Sequence, residues 1–467
     1  MEYKTPGVYI EERSTLPPSV VGVETAIPVF IGYTEKAIDR QQQSILNIPT
    51  KITSMLEYER FFGKPAAEIN TIVTLNVQNN VLVSTQVDVA NASNFIMHYS
   101  LQFYFENGGS DCYIVSVGDY SGIVLKDNID DGLIAAGTVD EITLNVFPEA
   151  QALSDVDFYD LHKASLDQCE DLQDRFTIMD TWIDRTLVDP GDFQNITTLR
   201  GSGLGAAERT LKYGAAYYPN LITSLDYYFG EESDRDDSVQ IAGDASLAGT
   251  LGELKSKNNV IYFQVINALT QQPLELPPSP AIAGIYVQVD NARGVWKAPA
   301  NVNIDRVIRP TFRISDKAQE NLNIDVDAGK SVNAIRTFTG RGPAIIWGAR
   351  TLAGNSNEWR YVPVRRFFNF VEESVKNATI PFVFEPNDIN TWLRVKAMIE
   401  NFLVQQWKAG ALQGTTPEEA FRVRVGLGQT MSEQDILEGR MIVEIGMAVV
   451  RPAEFIILRF EHKMLSE

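Results

Sequence analysis

A chain of 467 residues exceeds what one hydrophobic core usually supports, so we expect about two to four domains. With 44% hydrophobic and 22% charged residues it has the composition of a globular protein, and no run approaches the roughly 20 apolar positions of a membrane-spanning helix. The net charge of -21 argues against nucleic-acid binding through a broad basic face.

The acidic charge is unevenly distributed along the chain. Residues 331–467 contain 16 Lys and Arg against 15 Asp and Glu, so the acidic excess lies in residues 1–330. If the protein is part of a layered assembly, the C-terminal part is expected to be the buried or partner-facing layer. An acidic soluble domain fused to a neutral one, with no assembly, would have the same distribution.

The sequence offers little material for targeting or for metal binding. The N-terminus lacks a basic region followed by an apolar core, so we expect the protein to be made and folded in the cytosol. Cys112 and Cys169 are too few for a disulfide framework and are expected to be reduced and buried. With three histidines and no Cys or His cluster, we expect no metal site.

The N-terminal residues predict two strands separated by a spacer. In "TPGVYIEE" (5–12), Val8, Tyr9 and Ile10 form an apolar run after a Pro-Gly pair, which predicts one extended strand. The Pro-Pro pair that follows favours an extended spacer, and "AIPVFIGY" (26–33) predicts a second strand. Because no partner for the first strand lies beside it in the sequence, that strand must pair elsewhere.

The next hundred residues predict compact helix and strand units. The segment "KITSMLEYERFFG" predicts a short helix that ends at Gly63. Residues 71–89 alternate apolar and polar side chains around an Asn-Asn pair, which predicts a hairpin. The segment "MHYSLQFYFENGGSDCYIVSVG" then predicts an aromatic helix, a Gly-Gly turn and a strand.

Residues 120–290 predict a mixed α/β region, in which apolar runs of strand length alternate with polar helical stretches such as residues 161–174. The predicted strands lie within residues 175–180, 183–189, 213–219 and 258–266. The charged segment 230–238 predicts a solvated loop. Residues 274–301, which are punctuated by Pro and Gly, predict a connector with strand character.

From about residue 330 the sequence predicts a distinct domain with two amphipathic helices. The second helix is expected to begin after Asp388 as N-cap and to end at Gly410. The predicted apolar faces comprise Val364, Phe367, Phe368, Val371 and Val375 in the first helix, with Arg365, Arg366, Glu372 and Glu373 off that face, and Trp392, Val395, Ile399, Phe402 and Leu403 in the second. The chain ends in two apolar segments divided by Pro452, which predict two strands.

Two short motifs raise the possibility of nucleotide chemistry. The segment "AGKS" (328–331) lacks the first glycine of a phosphate-binding loop, because Ile324 occupies that position. Gly201, Gly203 and Ala206 have the spacing of a dinucleotide-binding turn, but the residues before them are a poor buried strand. We therefore expect no cofactor and no catalytic residues, and keep an α/β cofactor-binding enzyme built around this turn as an alternative.

Six segments, taken together and in order, resemble the phage tail sheath family. They are "TPGVYIEE" (5–12), "YFENGGSDCYIVSVG" (104–118), "PPSPAIAGIYVQVDNARGVWKAPAN" (277–301), "TFTGRGPAIIWGARTLAGNSNEWRYVPVRR" (337–366), "FEPNDINTWLRVKAMIENFLVQQWKAGALQG" (384–414) and "AVVRPAEFIILRF" (448–460). The style of the second segment is more similar to sheaths of extracellular injection particles than to those of myoviruses. Residues 119–276 depart most from the common pattern of the family.

The resemblance implies a mixed α/β (α+β) fold in several domains, with a C-terminal domain of helices and a β-sheet that is completed by strands from neighbouring subunits. The domains expected from it are an N-terminal arm (1–25), a core domain with a hairpin (26–118), an outer α/β domain (119–275), a connector returning to the core (276–330), an inner domain facing the tube (331–452) and a C-terminal arm (453–467).

The resemblance further implies a structural, non-enzymatic subunit of a contractile tail or injection machine. Such subunits stack as six-membered rings around a rigid inner tube, between a baseplate and a tail terminator, and they shorten the sleeve on triggering. It implies assembly in the bacterial cytoplasm into a virion or a released particle, with sheath paralogues as further possible partners, and neither nucleic-acid binding nor direct insertion into a membrane.

The residues expected to contact other subunits follow from this resemblance. Those of the N-terminal arm are Val8, Tyr9 and Ile10, those of the C-terminal arm are Phe455, Ile456, Ile457 and Leu458, and those of a tube-facing helix are Arg394, Lys396 and Lys408. The helix 364–376, or no helix, remains an alternative for the tube contact. A soluble binding module that never polymerises is a third interpretation of the whole sequence.

Overall fold

The computed structural model describes most of the chain, namely residues 19–69, 71–78, 81–89, 92–184, 194–205 and 207–459. The chain divides into two compact units. Within the described residues, the larger unit comprises Glu24–Phe370 and residues 451–459, and the smaller unit comprises residues 19–23 and Val371–Val450.

Strands and helices alternate along much of the chain. The strands are β1 (Pro28–Gly32), β2 (Thr50–Ile52), β3 (Ile72–Gln78), β4 (Val81–Asp88), β5 (Cys112–Ser116), β6 (Leu144–Val146), β7 (Phe176–Asp180), β8 (Gly214–Tyr218), β9 (Leu221–Thr223), β10 (Gln240–Ala242), β11 (Gly249–Thr250), β12 (Leu274–Leu276), β13 (Val307–Pro310), β14 (Val332–Phe338), β15 (Gly342–Ile346), β16 (Phe421–Val425) and β17 (Val443–Met447). The α-helices are α1 (Met55–Phe62), α2 (Met97–Glu106), α3 (Lys126–Ala136), α4 (Asp155–Leu172), α5 (Gln194–Gly201), α6 (Glu208–Leu211), α7 (Glu232–Ser238), α8 (Leu251–Lys257), α9 (Asn259–Thr270), α10 (Ser279–Arg293), α11 (Asp316–Asn323), α12 (Val362–Thr379), α13 (Ile389–Lys408), α14 (Pro417–Ala420) and α15 (Glu433–Leu437).

An eight-stranded sheet in the order β15-β14-β8-β7-β6-β1-β5-β2 forms the centre of the larger unit. The six inner strands are parallel, and β15 and β2 are antiparallel edges. Every residue of β1 is buried, because helices cover both faces of the sheet. Phe30 packs in the cluster of α2 and α10, whereas Val29 and Ile31 pack in the cluster of α3 and α4.

Two smaller sheets complete the larger unit. The predicted hairpin is confirmed as β3 and β4, which pair antiparallel and are extended by β10 and β11 into a four-stranded sheet. Its two central turn residues lie outside the described residues. A three-stranded sheet has the order β12-β9-β13.

Several other predicted elements are confirmed. Helix α1 ends at Gly63, whose φ of 90° is in the left-handed region that favours glycine. Helix α2 is followed by β5, as predicted, and the predicted helix at 161–174 is the C-terminal part of α4. Two of the predicted strands of the mixed region are β7 and β8.

Other expectations in residues 230–301 are wrong. The run 258–266 belongs to helix α9, where Ile261, Tyr262 and Val265 are buried at helical spacing. The charged segment 230–238 contains helix α7. Most of the predicted strand 183–189 lies outside the described residues, so that expectation stays a prediction. The predicted connector 274–301 contains helix α10, which is buried almost all round. A helix buried on every side lacks the polar stripe by which a sequence distinguishes helix from strand.

The predicted inner domain begins at residue 331, but the division between the compact units falls at residue 371. The difference arises because β14 pairs in parallel with β8 and so extends the central sheet of the larger unit. Arg365 and Arg366, which were expected off the apolar face of helix 364–376, are buried. Arg366 forms an ion pair with Asp290 at 2.6 Å, and the guanidinium of Arg365 lies 4.5 Å from the ring centre of Trp359.

Two buried carboxyl groups accept hydrogen bonds from backbone N–H groups near the ends of central strands. The backbone N–H of Tyr33 donates to Glu149 over 2.7 Å, and that of Ser279, at the start of α10, donates to Asp180 over 2.8 Å. Burial raises the pKa of Glu149 to about 8 and the pKa of Asp180 to about 7, although these hydrogen bonds oppose the shift.

In the smaller unit, the predicted helix 388–410 is confirmed as α13. A side-chain oxygen of Asp388 accepts the backbone N–H of Thr391 over 3.0 Å, which caps the helix as predicted. The predicted stripe is buried at Val395, Ile399, Phe402 and Leu403 and half-buried at Trp392, and Met398 joins it. This helix packs against β16, which pairs antiparallel with β17.

Candidate subunit-interaction surfaces

The sheet of the smaller unit has two strands, and each has one edge without a neighbouring strand in the described part of the chain. The pairing of β16 and β17 is regular from Phe421 opposite Met447 to Val425 opposite Val443. A backbone N–H or C=O group that is removed from water without a partner is costly. The two open edges of this sheet therefore require either water or a further strand.

The residues that face the open edges follow from the alternation of an antiparallel ladder. The backbone N–H of Ala448 donates to the carbonyl of Ala420, one step beyond the paired strands. Because hydrogen-bonded and non-hydrogen-bonded pairs alternate, Val423 and Ile445 form a non-hydrogen-bonded pair, and their N–H and C=O groups point to the outer edges. These groups have no partner among the described residues.

The side chains of the sheet are also incompletely covered. On β16, Val423 and Val425 are buried, but Val443, Ile445 and Met447 on β17 are half-exposed. The smaller unit also carries large apolar side chains that are largely exposed, namely Ile380, Val383, Phe384, Ile389, Leu393, Leu427 and Leu437. Where such side chains lie together in one patch, they mark a surface that binds a partner.

The predicted C-terminal strand is absent from the isolated subunit as far as residue 459. Residues 451–459 have no regular secondary structure, and the predicted contact residues Phe455, Ile456, Ile457 and Leu458 are 68–79% exposed. The run is therefore extended apolar chain with no partner strand in the described subunit. The predicted N-terminal contact residues, Val8, Tyr9 and Ile10, lie outside the described residues.

Within residues 451–459, hydrogen bonds are made by Glu454 alone. The guanidinium of Arg350 donates to the two carboxylate oxygens of Glu454 from Nε at 2.8 Å and from Nη2 at 2.6 Å. The hydroxyl of Tyr361 donates to Glu454 over 3.2 Å. This contact lies directly before the exposed apolar run, and no local sequence signal predicts it because its partners are about a hundred residues away.

The three predicted basic residues of α13 lie in different environments. Arg394 is exposed and donates to Glu385 over 3.2 Å, and Lys396 forms an ion pair with Glu400 at 3.7 Å. Lys408 is exposed at the last position of the helix. Sequence reasoning missed the exposed apolar residues of this helix, Ile389 and Leu393, although their spacing of four places them on one face.

The dinucleotide-binding turn lacks the required structural context. Gly201 is the last residue of helix α5, and a short helix, α6, follows the glycine-rich segment. A dinucleotide-binding turn connects a buried strand to a helix, so this segment does not provide the geometry expected for one. Ala206 of the motif lies outside the described residues.

The "AGKS" segment is also occupied by structural contacts. Lys330 is buried, and its ammonium group donates to the carbonyl of Arg200 over 3.0 Å, while the hydroxyl of Ser331 donates to the carbonyl of Asn323. Burial lowers the pKa of Lys330. The lysine that would bind a phosphate in a phosphate-binding loop instead holds the backbone at Arg200.

The described residues contain neither a metal-binding cluster nor a membrane-spanning helix. They contain no group of three or more His, Cys, Asp or Glu side chains placed to hold a metal ion. None of the helices in the same residues combines the length and the apolar character needed to cross a membrane.

Comparisons with known proteins identify relatives over the whole chain. Residues 355–463 match the phage tail sheath C-terminal domain family. The helical sheath of the anti-feeding prophage in its contracted state is 30% identical, with a TM-score of 0.62 over 99% of this chain and 100% of that chain. The sheath complex of PVC, an extracellular contractile injection system, in the contracted state is 29% identical, with a TM-score of 0.64 over 99% of both chains.

A chain from the contracted anti-feeding prophage baseplate is 27% identical, with a TM-score of 0.67 over 98% of this chain and 99% of that chain. The comparison with curated protein sequences gave no match.

Proposed function

Because the chain belongs to the phage tail sheath family, we propose that it polymerises as stacked hexameric rings around an inner tube and contracts to drive that tube through a target envelope. Each subunit is linked to its neighbours by exchanged strands. The role is structural, and no catalytic step is required of the subunit.

The observation that carries this proposal is the two-stranded sheet with two open edges. An extended segment of another subunit can add to such an edge, and the backbone hydrogen bonds then hold it without a matched side-chain surface. Each hydrogen bond contributes about 0.5–1.5 kcal/mol net, so that about five per strand give a few kcal/mol. Repeated at every subunit, this links the whole sleeve.

The exposed run 455–458 supplies the complementary half of the contact. Four large apolar side chains in water are unfavourable, and burial against another subunit recovers about 25 cal/mol for each Å² that leaves water. We assign residues 455–458 and the N-terminal strand at Val8, Tyr9 and Ile10 as the donated strands. We propose that the open edge of β17, whose side chains are only partly buried, receives one of them.

A contact in which one copy donates and the next accepts does not close on itself between rings, so it grows a filament rather than a dimer. We propose that the extended sleeve is kinetically trapped between a baseplate and a tail terminator, and that the contracted sleeve has the lower free energy because it buries more lateral surface. The free-energy difference between the two forms is then stored when the sleeve assembles in the bacterial cytoplasm. It is released in a single contraction of the virion or of the extracellular particle. Sheath paralogues can share such a sleeve.

The smaller unit is the proposed inner layer, which contacts the tube through α13. Its basic residues Arg394, Lys396 and Lys408 and its exposed apolar residues Ile389 and Leu393 are available for this contact. Much of the acidic charge lies in residues 119–275, which we propose as the outer domain of the sheath subunit. Like-charged outer surfaces keep such a particle soluble.

Electron microscopy of the purified chain tests the proposal. We expect striated sleeves from the intact chain, none after deletion of residues 2–14, and none after Ile457→Asp, which places a charge in the exposed run. Val260→Asp, at a side chain of similar exposure in the larger unit, is the matched control and should leave sleeves intact. Discrete particles at every concentration of the intact chain would contradict the proposal, and normal sleeves from the truncated chain would contradict strand exchange.

A further inference from the structure

The C-terminal segment leaves the body of the subunit at a defined point. Of the residues 451–459, Glu454 is partly buried and makes hydrogen bonds, while the residues after it are exposed. The side chain of Arg350 is 4% exposed and that of Glu454 is 20% exposed. An ion pair in this position is much less screened by salt than one on an open surface.

The partners of Glu454 are themselves fixed by the fold. The backbone N–H of Arg350 donates to Asn333 Oδ1 over 2.8 Å, and Asn333, on β14, returns a bond from Nδ2 to the carbonyl of Arg350. The remaining guanidinium nitrogen of Arg350 donates to the carbonyl of Asn323 over 3.1 Å. Tyr361 pairs with Arg350 in an isolated bridge directly before α12. The guanidinium is thus oriented before Glu454 reaches it, and its planar fork suits a carboxylate.

We propose that Glu454 is a positioning residue for strand exchange. Its contacts with Arg350 and Tyr361 fix the point at which the donated C-terminal strand begins. They also transmit force between that strand and the body of the subunit. This inference rests on the proposed function. Loss of the contact frees residues 451–454 and adds about 13 Å of reach to the donated strand. A longer free tether lowers the effective concentration of the strand at the acceptor edge.

The anchor can be tested in the unpolymerised chain by limited digestion with chymotrypsin. Cleavage after Phe455 requires the flanking residues to enter the protease in extended form, so the contacts of Glu454 should slow it. We expect Glu454→Ala to raise the rate of this cleavage roughly five- to tenfold, as for loss of a charge-assisted hydrogen bond, and Glu454→Asp to raise it less. Because Glu454→Ala leaves the buried guanidinium of Arg350 without its carboxylate, we expect some loss of thermal stability, and the digestion is therefore run well below the unfolding transition of both chains.

Asp316→Asn is the matched control, because it removes the exposed partner of another Arg–carboxylate pair of the larger unit, Arg336–Asp316 at 2.7 Å. It should leave the cleavage rate unchanged. An unchanged rate in Glu454→Ala, or an equal rise in Asp316→Asn, would overturn the anchor.

The second readout is the yield of sleeves after sedimentation. We expect the polymerised fraction to fall roughly tenfold in Glu454→Ala, to fall less in Glu454→Asp and to be unchanged in Asp316→Asn, since linkage through a loosened tether weakens each contact. Normal sleeves from Glu454→Ala would overturn the role in strand exchange. If the intact chain forms no sleeves, the proposed function fails, and the cleavage rates still decide whether Glu454 anchors the segment.

Discussion

The two compact units differ in how completely each satisfies its own backbone and apolar side chains. In the larger unit, the inner strands of an eight-stranded sheet have neighbours on both edges and helices on both faces. In the smaller unit, a two-stranded sheet has two open edges in the described part of the chain, and β17 is only half-covered. The central sheet of the larger unit is covered on both faces, whereas the sheet of the smaller unit has only two strands, and the larger unit contributes the exposed run 455–458 outside its core. This difference locates the proposed contacts.

The largest expected difference concerns truncation of apolar side chains. Phe30 is fully buried and packs edge-to-face on Tyr104, with 5.1 Å between ring centres. We expect Phe30→Ala to lower the free energy of unfolding by about 3–5 kcal/mol, because it leaves a cavity in the core. Leu437→Ala in the smaller unit, at a side chain that is 83% exposed, should change it by less than about 0.5 kcal/mol.

Urea denaturation of the unpolymerised chain measures both variants. If Leu437→Ala destabilises the subunit as much as Phe30→Ala, the smaller unit is not the incomplete one and the comparison fails. A loss of sleeves in Leu437→Ala without a loss of stability would instead sharpen it, because the exposed side chain would then act between subunits.

The second prediction concerns pH. Asp180 in the larger unit has a pKa raised to about 7 by burial, so its contribution to stability is fully present below its unfolded pKa and is lost as the pH rises through about 7. In the smaller unit the pKa of Asp388 is lowered, chiefly by the backbone N–H of Thr391 that its carboxylate accepts. Its contribution is present above the unfolded pKa and is lost as the pH falls through the folded value. The units should therefore weaken in opposite directions of pH.

Asp180→Asn tests the first half of this statement. Asparagine can accept the backbone N–H of Ser279 and donate to its hydroxyl, so it preserves both contacts of Asp180 and does not titrate. We expect the stability of the variant relative to the native chain to increase by roughly 2 kcal/mol between about pH 5 and pH 8. Denaturant titrations at both pH values measure the difference. Parallel pH profiles of the two chains would show that Asp180 does not titrate in this range.

The elements that the sequence predicted best are those whose signal lies in neighbouring residues. Asp388 as a cap, Gly63 as a helix end and the alternation of residues 71–89 each depend on neighbours within a few positions. Helix α10 was missed because its surroundings are apolar on all sides, so its sequence has no polar face. The helix packs closely against α2, where a Cβ at Gly284 would lie 2.5 Å from the carbonyl oxygen of Tyr104.

Single segments of the candidate site could be predicted from the sequence, but their arrangement in space could not. The apolar run 455–458 is visible in the sequence, and its exposure in the structure agrees with a segment that lacks a partner in its own chain. The open edges of β16 and β17 and the contact of Arg350 with Glu454 depend on residues far apart in the sequence. Buried Arg365 and Arg366 were misplaced because a charged residue is normally assigned to water.

The third prediction concerns the open edge of β17, where we expect a smaller change in free energy per subunit. The backbone N–H of Ile445 points away from β16, so Ile445→Pro removes an outward donor and leaves the paired ladder intact. We expect the concentration needed for sleeves to rise roughly tenfold, as for about one lost hydrogen bond per contact. Ile445→Val, which keeps the N–H, should behave as the native chain.

Val423→Pro makes the same change at the outer edge of β16, so sedimentation of the two proline variants distinguishes the edges. An effect in Val423→Pro alone would assign the donated strand to β16. Normal assembly in both would mean that neither edge accepts a strand, and the smaller unit would then be complete as it stands.

The smallest expected effect concerns the basic residues of α13. Lys408 is an exposed side chain at the end of the helix, and an exposed charge of this kind contributes about 0.2–1 kcal/mol to a contact. We expect Lys408→Ala to weaken binding to the inner-tube protein of the same particle by up to about fivefold at low salt, and the difference to vanish near about 1 M salt, where screening is strong. Lys376→Ala, at an exposed lysine on α12 that pairs with Glu373, is the control. If Lys376→Ala weakens binding and Lys408→Ala does not, the tube lies against α12, and the partner-facing surface of the smaller unit must be reassigned to that helix.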